Sequence, residues 1–328
     1  MTPRERILEA VERHPTDVVP VGNAVSIATV HLMAATGCFF PEAHTDPEVM
    51  AGLAAAGHEI LGLDTIAPVF SVQQEADALG CAVNWGRVDL MPECGVHPCR
   101  RADDIRLRAD LLAHPAIVVV LDALRILRER YPDVALVGKV LGPWTLAYHL
   151  FGVERFLIMT LDTPDEVQRI LRALMPLPAL FAHAQIEAGA DVITLADHAT
   201  GDLVSPAMYR DFLWPLHREL AREVHAPVIL HICGDTLDRI AWISRSGLAC
   251  FHFESKVAAD QARWAAGDRI ALMGNINNPR TLLHGTEDDI AAEVEAALLA
   301  GVEIIAPECA VPLTTPTDNL QAMVRAAR

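Results

Sequence analysis

The sequence predicts a single (β/α)8 barrel (TIM barrel) over residues 1–328, an α/β fold with an N-terminal helical extension and a covering excursion at about 71–115. Three observations carry that expectation. Eight short apolar runs recur along the chain, helical patterns separate the later ones, and no linker, internal repeat or low-complexity segment divides it. Strands that are apolar throughout have both faces covered, which is the condition of a parallel sheet wrapped by helices.

Taken in order, residues 3–13 place Ile7, Leu8 and Val11 at helical spacing, and His14-Pro15 stops them. Val18–Gly22 reads as the first strand. The next runs are Thr65–Val69, Ala135–Val140, Val192–Ala196, Val228–Cys233, Ala249–Glu254, Ile270–Gly274 and Glu303–Ala306. Glu166–Ala188 and Ile290–Ala300 read as helices, the second followed by Gly301, where a helix ends. Residues 71–115 hold no clear strand-helix unit, and their density of Cys, Gly, Pro and charge predicts an excursion over one mouth of the barrel.

Composition narrows the function classes. With 26 Lys+Arg against 43 Asp+Glu the net charge is -17, which speaks against nucleic acid, whose affinity comes from basic residues on phosphates. No apolar run reaches the ~20 residues that span a bilayer, so no membrane partner is expected. Met-Thr-Pro-Arg-Glu-Arg opens no signal peptide, and a cytoplasmic protein is expected. The seven cysteines (38, 81, 94, 99, 233, 250 and 309) then read as reduced thiols, buried or metal-binding.

Barrel active sites gather at the carboxyl ends of the strands. There the runs lead to Asp197, to His231 and Cys233, to Glu254, to Asn275, and to Glu308 and Cys309. His231 and Cys233 are two apart, so an extended chain projects both from one edge. Zn²⁺ takes N and S ligands, and three of them leave one position open for a substrate atom. Glu254 is a candidate for that fourth position or for a hydrogen bond to His231. A lone His-x-Cys is a common pair of core residues; Cys309 at another strand end supplies a third ligand, and on the residues alone both readings stay open.

Other stretches carry less. Cys94, His97 and Cys99 lie in Glu93-Cys-Gly-Val-His-Pro-Cys99, whose spacing is no standard zinc knuckle, and a covering loop shaped by Gly95 and Pro98 is expected. His58-Glu59 lacks the second His of a zinc-protease helix. Gly138-Lys-Val-Leu-Gly-Pro143 lacks the order of a phosphate loop, and Gly142-Pro143 sets a turn into the next helix. His198 is the histidine best placed for a base. Lys139 and Lys256, near strand ends, are candidates for holding an anionic headgroup.

Longer stretches add a resemblance. Glu5-Arg-Ile-Leu-Glu-Ala10, Asp17-Val-Val-Pro-Val21, His58-Glu-Ile-Leu-Gly-Leu-Asp64, Ser205-Pro-x-x-Tyr209-x-x-Phe212-x-x-Pro215, His231-Ile-Cys-Gly234 and Ala306-Pro-x-Cys309 span almost the whole chain. By these residues it resembles the methylcobamide:coenzyme M methyltransferases of the uroporphyrinogen decarboxylase superfamily. The resemblance implies zinc on His231, Cys233 and Cys309, with Glu254 left as the candidate already named for the fourth position. It also implies a methylated corrinoid, methylcobalamin or a corrinoid protein, as methyl donor to a small thiol, coenzyme M first. Asp197, Asn275 and Gly234 are the residues expected around the corrinoid. The decarboxylases carry an Arg-rich stretch after the first strand; this chain has Gly22-Asn-Ala-Val-Ser-Ile-Ala-Thr29 there, which disfavours a many-carboxylate substrate. Transfer to tetrahydrofolate, a decarboxylase activity and a corrinoid-binding scaffold are the alternatives.

Overall fold

Each apolar run of the sequence becomes a strand position in the computed structural model, which describes residues Met1–Arg328. The strands are β1 (Thr65–Ile66), β2 (Val83–Asn84), β3 (Glu93–Cys94), β4 (Ala135–Leu141), β5 (Val192–Ala196), β6 (Val228–His231), β7 (Cys250–His252), β8 (Ala271–Ile276) and β9 (Ile304–Pro307). Seven of them form one parallel sheet in the order β1-β4-β5-β6-β7-β8-β9, while β2 and β3 pair only with each other.

The sheet curls, and Val21 bridges β9 to the segment entering β1. Gly22 donates to Ile305 O at 2.9 Å, Ile305 donates to Pro20 O at 3.0 Å, and Asp64 donates to Val21 O at 2.8 Å. The expected first strand is thus a single bridge. Pro20 has no N–H to extend a ladder. Proline also shortens β1 relative to the expected Thr65–Val69, because Pro68 lies inside it. The expected helix over Glu166–Ala188 is two helices, Pro164–Leu174 and Pro176–Glu187, since Pro176 cannot continue the first.

The N-terminal helix, Pro3–Val11, begins with a capping box in which Thr2 Oγ1 accepts from Glu5 N and Glu5 accepts from Thr2 N. It plugs the amino end of the barrel. Ile7, Ala10 and Val11 pack in one cluster with the inward residues Ala135, Val137, Val192, Ile229, Ala271 and Ile304. Arg6 pins the plug with a 2.6 Å ion pair to Asp64, a carboxylate 1% exposed whose other oxygen accepts from Val21 N. The larger apolar cluster fills the layer between sheet and surrounding helices.

The excursion at 71–115 contains the helix Gln74–Ala78, the β2–β3 hairpin and two short turns. It covers the carboxyl end, the mouth opposite the plug. No helix is long and apolar enough to cross a membrane.

Candidate metal centre

β6 is hydrogen-bonded to β5 on one side and β7 on the other, which fixes His231 opposite Ala196 and His252. Past the end of β6 the chain turns at Gly234 with φ +81°, a left-handed conformation that glycine adopts without strain. A Cβ there would also stand 2.0 Å from Thr200 Oγ1. That turn returns Cys233 toward His231. From β9 the chain continues through Glu308 to Cys309. Glu308 is buried, and its two carboxylate oxygens accept from Ser255 N at 2.9 Å and Asn278 N at 2.8 Å. It ties three strand-end loops and presents Cys309 inward.

The three expected ligands therefore meet. His231 Nε2 lies 3.1 Å from Cys233 Sγ and 3.5 Å from Cys309 Sγ, and the two sulfurs are 3.4 Å apart. They form the one group of His, Cys, Asp and Glu side chains in the chain arranged to hold a metal. Tetrahedral zinc, with bonds of ~2.3 Å to sulfur and ~2.1 Å to nitrogen, keeps its ligand atoms about 3.5–3.8 Å apart. The triangle fits such an ion after a small opening. Its chemistry is the soft N and S set that zinc selects.

The electrostatics favour a metal as well. Hydrogen bonds from Cys233 and His231, with the imidazole charge, hold the Cys309 thiol well below its ordinary range. Cys233 is pushed up by its hydrogen bond to Cys309, then by burial and by Glu254 and Glu308. A metal bound between them would displace the protons that the two thiols carry.

Glu254 makes no hydrogen bond to His231 and stands outside the triangle of ligand atoms. Its Oε2 accepts the Gly234 N–H, so it braces the turn that carries Cys233. Burial and the neighbouring Glu308 raise its pKa. With Ser255, Lys256 and Glu308 it lines a second cleft on the far side of Cys309.

The main cavity, about 490 Å³, opens from the triangle to the mouth. Its walls come from the strand ends and from the excursion, which contributes Ser71, Gln73, Met91, Cys94 and His97. A family profile described as Uroporphyrinogen decarboxylase (URO-D) matches residues 2–328. The chain belongs to the uroporphyrinogen decarboxylase family. Within it, the chain is 36% identical over 329 residues to "Methylcobamide:CoM methyltransferase MtaA" of Methanosarcina barkeri, covering 99% of this chain and 97% of that one. It is 30% identical to "Methylcobamide:CoM methyltransferase MtbA" of Methanosarcina acetivorans, over 100% and 98% of the two chains. The solved structure of a methyltransferase from Methanosarcina mazei superposes with a TM-score of 0.97 at 36% identity, over 100% of this chain and 98% of that one. Its nearer relatives are thus the methyltransferases of the uroporphyrinogen decarboxylase family.

In this member of the family, Asp197 is a wall of the cavity and 2% exposed. Its Oδ1 accepts from Thr145 N at 2.9 Å and Thr145 Oγ1 at 3.1 Å, and its Oδ2 shares a 3.0 Å hydrogen bond with His217 Nε2. His217 Nδ1 continues to the Tyr209 hydroxyl at 3.0 Å. Gly142 is glycine because a Cβ would stand 2.1 Å from Asp197 Cγ, so the turn into the helix Pro143–Phe151 and the carboxylate fit together.

Asn275 and Gly234 do not line the cavity. Asn275 Nδ2 donates to Val257 O at 2.9 Å, and Gly234 holds Glu254. Both brace strand-end loops, which is the position the corrinoid expectation had given them a different reason to occupy. His198 does line the cavity, its pKa lowered first by burial. Lys256 is exposed and paired with Asp202 at 3.0 Å. Lys139 is buried and faces the cavity. Cys94, His97 and Cys99 form no ligand group; Cys94 Sγ donates to Val96 O, and His97 Nδ1 bonds His149 O at 2.8 Å.

His217 and Tyr209 were not among the residues that sequence reasoning selected for the site. Tyr209 stood in the Ser-Pro-x-x-Tyr signature, but its bond to His217 eight residues on depends on the π-helical segment Tyr209–Leu213.

Proposed function

We propose that the protein transfers a methyl group from a methylated corrinoid to a thiol, coenzyme M first among acceptors, at a zinc site made by His231, Cys233 and Cys309. The observation that carries this reading is the N, S, S triangle in the floor of a cavity at the barrel mouth. Zinc there supplies a Lewis acid that keeps an acceptor thiol deprotonated at neutral pH, whereas a free thiol has a pKa of ~8.5. Three protein ligands leave a position for that sulfur. Glu254, braced by Gly234 on the other side of Cys309, is the candidate for the fourth position at rest.

The chain's own residues supply shape and order. The Asp197–Thr145–His217 network fixes one wall, and Gly142 lets that wall approach. In the transfer the sulfur–carbon bond forms as the cobalt–carbon bond breaks, its electron pair stays on cobalt, and the thiol proton has left on binding. No protein nucleophile is required.

The donor is proposed to arrive on a separate corrinoid protein. Val88, Leu90 and Val96 are 39%, 45% and 55% exposed on the excursion, beside Met91, which lines the cavity. An apolar rim of this kind suits a docking partner. A decarboxylase reading fits less well, because the cavity lining contains no Arg and a single Lys.

Metal analysis joined to an absorbance assay tests the reading. One zinc per chain and thiol-dependent loss of methylcobalamin are expected. Protein that retains zinc yet leaves methylcobalamin intact with every thiol offered would contradict it, and demethylation that requires tetrahydrofolate would redirect it to another acceptor.

A further inference from the structure

Lys139 stands in the middle of β4, every residue of which is buried, and it is itself 3% exposed. It lines the same cavity as His231, Cys233 and Cys309, and it is the only Lys or Arg that does. Its Nζ makes one long hydrogen bond, 3.4 Å to Val25 O, and no ion pair. An ammonium carries three donors, and burial without a counter-ion is unfavourable. Glu75 acts on it through space only. That carboxyl is fully buried, accepts from Leu141 N at 2.8 Å, and is pushed up to about 7 by burial. Burial lowers the Lys139 ammonium to about 8, against the opposing pull of the Glu75 and Cys309 charges. The floor of the cavity thus holds a positive charge with two unused donors, in a protein whose net charge is -17.

We propose that Lys139 is the residue that selects the acceptor: it binds the anionic end of a short thiol whose sulfur is directed to the His231–Cys233–Cys309 site. This rests on the corrinoid-to-thiol reading above. The class of substrate is a small alkanethiol with a sulfonate or carboxylate at its other end. An ammonium is a point charge rather than a planar fork, so it selects for charge before shape.

The test compares zinc-loaded wild-type protein with Lys139→Met and Lys139→Arg. Methylcobalamin is the donor, and 2-mercaptoethanesulfonate, 3-mercaptopropionate, 2-mercaptoethanol and cysteamine are the acceptors. Wild type should prefer the anionic thiols, and Lys139→Met should shrink that preference, as a ratio of kcat/KM, by about 30-fold or more, through KM. Lys139→Arg should restore part of it, and zinc content should be unchanged in both variants. Independently of turnover, ethanesulfonate should raise the unfolding midpoint of wild type and not that of Lys139→Met. An equal thiol preference in wild type and Lys139→Met overturns the proposal. So does a rise in KM for methylcobalamin alone, which would place the anion on the corrinoid. Absence of turnover with all four thiols sinks the transfer reading instead, and the ethanesulfonate shift then still decides whether Lys139 binds an anion.

Discussion

His231 and the approach to Cys309 stand on strands paired on both sides, β6 between β5 and β7, and β9 between β8 and Val21. Cys94 and His97 stand on and just beyond a two-residue hairpin paired only with itself. Both regions carry Cys and His close in sequence, and only the first converges on a metal-sized triangle. Ligand geometry needs tolerances of a few tenths of an ångström. A closed parallel sheet supplies that rigidity, because each strand end is held by two neighbours and by packing. The cover has fewer constraints and many exposed apolar side chains, which suits contact with large, variable surfaces.

The comparison breaks first at Cys309. Cys309→Ala should remove tight zinc binding and lower methyl transfer by at least ~100-fold, while circular dichroism and the unfolding midpoint stay near wild type; full zinc occupancy in the variant would remove Cys309 from the ligand set. Next in size is Asp197→Asn, which places an amide where three donors converge. Unpairing one of these buried bonds should cost about 1–3 kcal/mol of stability, read by urea unfolding. Glu75→Gln tests the buried interior beneath the cover. Its folded pKa of about 7 lies above the ordinary carboxyl value of 4.5, so the native state binds the proton more tightly than the unfolded chain. Stability should therefore fall as pH rises from about 4.5 to 7, by roughly 3 kcal/mol. In Glu75→Gln that part of the slope should vanish, and an unchanged slope would assign it to other groups.

The smallest effect is expected on the cover. Leu90→Ser should leave zinc content and turnover of free methylcobalamin unchanged, yet raise KM for a protein-borne corrinoid about fivefold. Equal effects on both donors would argue against docking there.

How much of this was readable in the sequence follows the same division. Apolar runs bounded by turn residues marked every barrel strand, because strands buried on both faces leave that pattern. Pro20 and Pro68 shortened two of them, and Pro176 split a helix, each by removing a donor. The ligand triangle was legible as residue types at strand ends, with the resemblance naming the metal. What stayed hidden depended on side-chain direction. Nothing in Gly234 or Glu254 announced that one would hold the other, and Asp197 could be placed at the mouth but not paired with His217. The excursion could be located, but Met91 and His97 could not be assigned to the cavity, since turns and short hairpins fix their side chains case by case.

The most direct test of the central claim is zinc-edge X-ray absorption of the loaded protein, recorded with and without coenzyme M. The account predicts two sulfur neighbours and one imidazole at rest, and three sulfurs once the thiol is added. A sulfur count that stays at two while the thiol is saturating and methylcobalamin is being consumed would contradict it.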